Sequence, residues 1–281
     1  MTSRFIYGDN LDGMAQLANE GVRPMLVYMD PPFFSNADYH YQPRDGGPRE
    51  LAFTDRWTSP EAYVASLQLR CAVARDILLP QGCLVVHVDS TAGSYVKVML
   101  DSVFGRDHFA SEIVWRYRRW PAKTANFQRV HDTLYRYVRD IHAEPTWNQL
   151  YEPLSASTVA TFGKGKQKAI TRNGTRVTSK ADASTPSLGV AMGDVWDMSI
   201  LAPSAKERTG FPTQKPQALL SRLVIALTNE GDTVLDPYCG SASMPVTASR
   251  LNRMGIGIDS SPVAARVAQD RLARATTLPV A

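Results

Sequence analysis

Cysteine is scarce in this chain of 281 residues, and the three present, Cys71, Cys83 and Cys239, show neither CxxC spacing nor a paired histidine cluster. That excludes a disulfide scaffold and a structural zinc, so free thiols are expected and no metal site is read. No uninterrupted apolar stretch approaches the roughly 20 residues of a membrane span. The first residues lack the basic, apolar, small-residue order of a secretory leader, which makes the cytoplasm the expected location and a membrane an unexpected partner. The three-glycine dinucleotide fingerprint is missing as well, and no internal repeat is found.

Charge is unevenly spread. The formal net charge is +4, from 31 basic and 27 acidic residues. Between Ile113 and Lys180, however, 13 basic residues face 4 acidic ones, so the rest of the chain is net acidic. The basic segment interleaves aromatics with charge, as in Trp115-Arg116-Tyr117-Arg118-Arg119-Trp120, followed by Lys123, Phe127 and Arg129. Such a mixture attracts phosphates and stacks on bases; a solvated basic face is the plainer alternative.

Outside this segment, short apolar runs alternate with amphipathic ones. Phe5-Ile6-Tyr7, Met25–Met29, Leu84–Val88, Glu112–Trp115, Thr233–Asp236 and Met254–Ile258 read as strands. Helices are expected after Asp12 as cap, from Ser59-Pro60 through Ile77 to a stop at Pro80-Gln81-Gly82, from Thr91 to Phe104, after Pro216, from Ser241 to Leu251 and from Pro262 to Ala273. Residues 34–57 read as a loop too long to be an idle connection, and 154–193 as loop or conditionally ordered chain. The alternation implies an α/β fold, its mostly parallel sheet covered by helices on both faces, with ligands beyond the carboxyl ends of the strands.

Three motifs carry chemistry. Asp30-Pro31-Pro32-Phe33 follows a buried strand. The tetrapeptide makes a stiff turn, but its prolines have no N–H, so Asp30 and the Pro31 carbonyl can accept both hydrogens of one amino group while Phe33 faces a flat ring. Asp236, Pro237, Tyr238, Cys239, Gly240 and Ser241 form a strand end and small-residue turn, with Asp259 ending the next strand 23 residues on. A carboxylate there repels phosphates but suits a cofactor bearing an ammonium group, and Asp259 suits a ribose diol. Thr213 and Lys215, just before the helix at Pro216, suit a carboxylate. Taken singly, each of these residues also serves as a cap or turn residue.

These motifs, with Ile6–Leu11, Val86-His87-Val88-Asp89 and Thr209–Pro216 in the same order, resemble the β class of amino-directed DNA methyltransferases. The resemblance spans roughly the first 140 and last 90 residues. It implies a Rossmann-like methyltransferase fold in permuted order, with the catalytic half (1–119) before the S-adenosyl-L-methionine (AdoMet) half (198–281) and a target-recognition insert (120–197) between. It implies site-specific methyl transfer to the exocyclic amine of a flipped base in double-stranded DNA. Asp in the first motif favours adenine N6, with cytosine N4 as the alternative. Carried over, Asp30, Pro31, Pro32 and Phe33 are catalytic. Asp9 is expected on the cofactor adenine, Asp259 on its ribose, and Asp236, Tyr238 to Ser241, Thr213 and Lys215 on its methionine end. Arg116, Arg118, Arg119 and Lys123 are expected on DNA. Tyr238 and Ala242 depart from the family's common Phe and Gly. The resemblance admits a cognate restriction endonuclease and a homodimer as partners.

Methylation of RNA or of a protein amide is the rival enzyme reading, although those relatives carry Asn-Pro-Pro-Tyr. A binding module without catalysis is the rival from another class, opposed by the intact Asp30 and Asp259. His87 and Asp89 end a strand near the expected pocket, where a structural role competes with a catalytic one.

Overall fold

The computed structural model describes residues 3–121, 123, 125–165, 167–180 and 186–277. Two compact units emerge: one from the chain up to Asn148 and from Asp194 onward, the other from Gln149–Gly193.

The large unit begins with β1 (Arg4–Tyr7), α1 (Asn10–Asn19), β2 (Leu26–Met29), β3 (Ala37–Tyr41), β4 (Glu50–Asp55), α2 (Pro60–Ile77), β5 (Cys83–Val88), α3 (Gly93–Phe104), β6 (Phe109–Arg116) and β7 (His131–Val138). The small unit holds β8 (Tyr151–Glu152), α4 (Ala156–Phe162), β9 (Gln167–Arg172), β10 (Thr175–Lys180) and β11 (Val190–Ala191). The large unit resumes with β12 (Val195–Asp197), α5 (Gln217–Leu227), β13 (Thr233–Asp236), α6 (Ser243–Arg250), β14 (Met254–Asp259) and α7 (Pro262–Thr277). Among the described residues, no helix is long and apolar enough to cross a membrane.

Eight strands form one sheet in the order β1-β14-β13-β2-β5-β7-β6-β12. Only β7 runs antiparallel to its neighbours. Alternate residues Val27, Met29, Leu84, Val86 and Val88 join α1, α2 and α3 in one apolar core. The intervening Leu26, Tyr28 and Val85 are buried too, so the sheet is covered on both faces. The second layer comes from α5, α6 and α7; α6 lies so close to β14 that a Cβ on Gly255 would stand 2.2 Å from the Pro245 carbonyl oxygen. The centre of the sheet joins strands from the two ends of the sequence, β13 beside β2. Ligands of open α/β sheets collect at the carboxyl ends around such a switch of order.

Several expectations change. Asp9, not Asp12, caps α1, its carboxylate accepting the Leu11 N–H at 2.8 Å. Residues 34–57 contain the antiparallel hairpin of β3 and β4. Within 154–193, Ser155 caps α4 at 3.1 Å through the Thr158 N–H. There β9 and β10 pair across Asn173-Gly174, both at positive φ, the geometry a two-residue hairpin turn demands. Residues 181–185 lie outside the described residues. Strand β7 falls inside the expected insert 120–197, yet it is part of the main sheet, so the separate unit is shorter than that insert.

Candidate active site

Because β1, β2, β5, β13 and β14 are parallel, their carboxyl ends share one edge of the sheet. A cavity of about 270 Å³ opens there. Asp9, Asp30, Pro31, Pro32, Phe33, Thr213, Lys215, Asp236, Tyr238, Cys239, Gly240, Ser241 and Asp259 all line it. Residues from both ends of the sequence thus meet in one space.

On its lining, the Lys215 ammonium lies 2.6 and 2.5 Å from the two carboxylate oxygens of Asp30. The same Nζ stands 4.9 Å from the centre of the Phe33 ring. Both partners are nearly buried, with side-chain exposures of 8% and 15%. A loop with its own internal ties delivers Lys215: Gln214 accepts from the Thr209 N–H and hydroxyl at 2.8 and 2.9 Å and donates to the Glu207 carbonyl at 2.7 Å. Thr213 is exposed, with φ at +55°.

Asp236 ends β13 and is buried, accepting the Tyr238 N–H at 3.0 Å. Burial pushes its carboxyl well above the usual carboxylate range, and the charges of Asp30 and Asp259 push the same way. Asp259 accepts the N–H groups of Gly240 and Ser261 at 2.8 and 2.9 Å. Burial raises its carboxyl too, against the pull of those donors. Gly240, at φ +47°, is crowded by Phe211: a Cβ there would stand 2.8 Å from the Phe211 ring. Ala242 adopts a left-handed conformation at the start of α6, which explains why a glycine suits this place. Cys239 turns its buried sulfur against β14, where a Cβ on Gly257 would meet it at 2.7 Å, so its backbone shapes the turn. Arg271 braces Ser241 by donating to its carbonyl at 2.5 Å.

Asp9, besides capping α1, pairs with Arg70 at 3.2 Å, and Arg70 donates to Asn10 at 2.6 Å. Asn10 in turn donates to the Pro237 carbonyl at 3.2 Å, tying the first helix to the turn after β13. Sequence reading missed Arg70, since a lone arginine on a long helix carries no local signal. It also missed the rings of Tyr39 and Phe53, stacked 4.7 Å apart, with Phe53 6.4 Å from Phe211. Their signal was an alternation of aromatics within residues 34–57.

His87 is fully buried behind Phe33, their ring centres 5.8 Å apart. Its two nitrogens meet the Tyr28 hydroxyl at 2.8 Å and Asp132 at 3.1 Å, and Asp132 accepts from the Tyr117 hydroxyl at 2.8 Å. Burial lowers the imidazole's proton affinity, consistent with a neutral ring satisfied on both sides.

The four basic residues expected on DNA do not line the cavity. Arg116 ends β6 and pairs with Asp197 at 2.7 Å, both half exposed. Arg119 lies 5.2 Å from the Tyr117 ring, while Arg118 and Lys123 are exposed.

A family described as DNA methylase matches residues 25–270. The Type II methyltransferase M.EcaI of Enterobacter cloacae is 27% identical, over 97% of this chain and 70% of that protein. M.HpaI of Haemophilus parainfluenzae is 26% identical, over 97% and 74%. The crystal structure of the M1.HpyAVI-SAM complex superposes with a TM-score of 0.58 at 19% identity, over 97% of this chain and 99% of that one. The family match runs through both halves of the central sheet and both carboxylate motifs, and the chain belongs to the DNA methylases that modify exocyclic amines, the N6 and N4 type.

Proposed function

We propose that this DNA methyltransferase transfers the methyl group of AdoMet to the N6 amine of an adenine flipped out of duplex DNA, using Asp30, the Pro31 carbonyl and Phe33. The observation that carries the reading is the meeting of Asp30 and Phe33 with Asp236 and Asp259 around one cavity.

The cavity suits such a cofactor by charge. Its lining carries five aspartates, Asp9, Asp30, Asp55, Asp236 and Asp259, against Arg70 and Lys215 alone. A buried carboxylate held above its usual proton affinity, as Asp236 is, gains from a cationic neighbour. AdoMet, when bound, supplies an electrophilic methyl group on a cationic sulfur. Asp236 and the turn Tyr238 to Ser241 would hold its methionine end, Asp259 its ribose and Asp9 its adenine.

The work on the substrate falls to the first motif. An aromatic amine is a poor nucleophile because its lone pair is delocalised into the ring. Accepting its two hydrogens at Asp30 and the Pro31 carbonyl favours a pyramidal nitrogen. The Asp30 charge stabilises the positive charge that grows on that nitrogen. Phe33 holds the ring plane, and positioning supplies the rest. An ionised carboxylate has about four acceptor sites, so Asp30 can keep Lys215 and still receive the amine.

Asp at position 30 supports adenine over cytosine, since the resemblance associates Asp with adenine and Ser with cytosine. The reading also includes action in the cytoplasm and, as partners, a cognate endonuclease and a second copy of the chain; co-purification and sedimentation test both partners. Nucleoside mass spectrometry of DNA treated with the purified protein and AdoMet tests the target. N6-methyladenine is expected, and N4-methylcytosine alone would overturn the choice of base.

A further inference from the structure

We infer that Trp120 and Phe127 form a wedge that enters the base stack of duplex DNA where the target nucleotide leaves it. The inference rests on the proposed transfer to a flipped base. Among the described residues these are the two most exposed large apolar side chains, at 91% and 97%. Both belong to one connection, between β6 and β7. Aromatic rings this bare are costly in water and mark contact sites when they cluster.

Three further observations identify the partner as nucleic acid. From Arg116 to His131 the chain carries five basic residues and no acidic one, so the rings sit in a field that attracts phosphates. Strand β6 runs parallel to β12, and β5 and β6 both run antiparallel to β7. The connection therefore leaves the sheet at the same edge as Asp30. Its root is also fixed to the pocket wall. Tyr117 donates to the Val130 carbonyl through its N–H at 2.8 Å and to Asp132 through its hydroxyl, and Asp132 holds the His87 that lies against Phe33. Further out, Gln128 donates to the Trp120 carbonyl at 2.8 Å, bracing the two sides of the connection where the rings emerge.

Extracting a base leaves an unstacked gap that water fills poorly. Apolar side chains inserted between base steps are a general means of opening the stack and filling such a gap. Rings mounted on a hairpin, hydrogen-bonded at its root to the wall of the base pocket, can occupy the gap while Phe33 receives the base. A docked protein partner has no need of the basic field and would leave the chemistry of the target pair irrelevant.

The test compares methyl transfer on two duplexes carrying the modified sequence, identified beforehand from methylated genomic DNA. One has the normal target pair; in the other the target base faces an abasic position and is already unpaired. Trp120→Ala with Phe127→Ala should lower kcat/KM at least tenfold on the normal duplex. On the abasic duplex the same double variant should come within threefold of the wild type, and Trp120→Phe alone should retain most activity on both. AdoMet affinity should stay within twofold of wild type. Equal loss on the two duplexes, no loss on either, or loss of AdoMet affinity would overturn the wedge. Failure of the wild-type protein to methylate DNA would instead overturn the function on which the wedge rests.

Discussion

Lys215 and Asp30, 185 positions apart in sequence, meet through both carboxylate oxygens at 2.5 and 2.6 Å on the lining of the cavity. This pair links the loop before α5 to the turn after β2, so the carboxylate proposed to receive the amine is positioned by the half of the chain proposed to hold AdoMet. The sequence places Lys215 on a cofactor carboxylate, and the structure pairs its ammonium with Asp30.

Asp30→Ala should therefore destabilise the protein by about 2–3 kcal/mol, because a nearly buried ammonium loses its charged partner. Adding Lys215→Met should recover most of that loss. Chemical denaturation of the two single variants and the double variant gives the coupling; additive losses would mean that the pair contributes nothing.

Asp259→Ala should weaken AdoMet binding by about 1–3 kcal/mol through a missing charged acceptor. Its bond to the Gly240 N–H adds to the effect, since the turn loses its tether as well. Calorimetric titration measures this directly, and unchanged affinity would remove Asp259 from the site.

Asp236 carries a pH signature. Burial holds its folded-state carboxyl above the ordinary range, so over the intervening pH window the folded chain keeps a proton that the unfolded chain has released. The stability this group contributes is fully present below its ordinary value, and it is lost as pH rises through the raised one. Asp236→Asn keeps an acceptor for the Tyr238 N–H and removes the loss. Its melting temperature relative to wild type should climb as pH rises above the ordinary aspartate range. A difference independent of pH would contradict the assignment.

Neutralising Arg116, Arg118, Arg119 and Lys123 should weaken duplex binding and flatten its salt dependence by about 0.9 in log–log slope for each phosphate left without its cation. Arg116 is half exposed in its pair with Asp197, and such a surface pair is weak enough to exchange for a phosphate. A salt titration with an unchanged slope would return these residues to a solvated face.

Six strands of the main sheet and the carboxylates after three of them were legible because each rests on local chemistry: apolar runs ending in Asp30, Asp236 and Asp259, and prolines that fix the chain after Asp30. The order of the two halves is an implication of the family resemblance. The cap of α1 was misplaced by three residues because Asp9 and Asp12 are equally good caps in isolation. The hairpin of β3 and β4 was hidden by its Pro- and Gly-rich sequence, whereas the Asn173-Gly174 turn was a visible signal left unused. Pairings distant in sequence, such as Lys215 with Asp30 and Arg70 with Asp9, leave no trace in spacing. They exist only once β13 lies beside β2 and α2 beside α1.

The central claim, that Asp30 receives the target amine, is tested most directly by single-turnover transfer of a labelled methyl group from AdoMet to duplex DNA by wild type and by Asp30→Asn, with AdoMet affinity measured on the same preparations. The transfer rate of the variant should fall by about 10²-fold or more while its AdoMet affinity stays within a few fold of wild type. Transfer at the wild-type rate, or a loss of AdoMet binding that accounts for the whole defect, would contradict it.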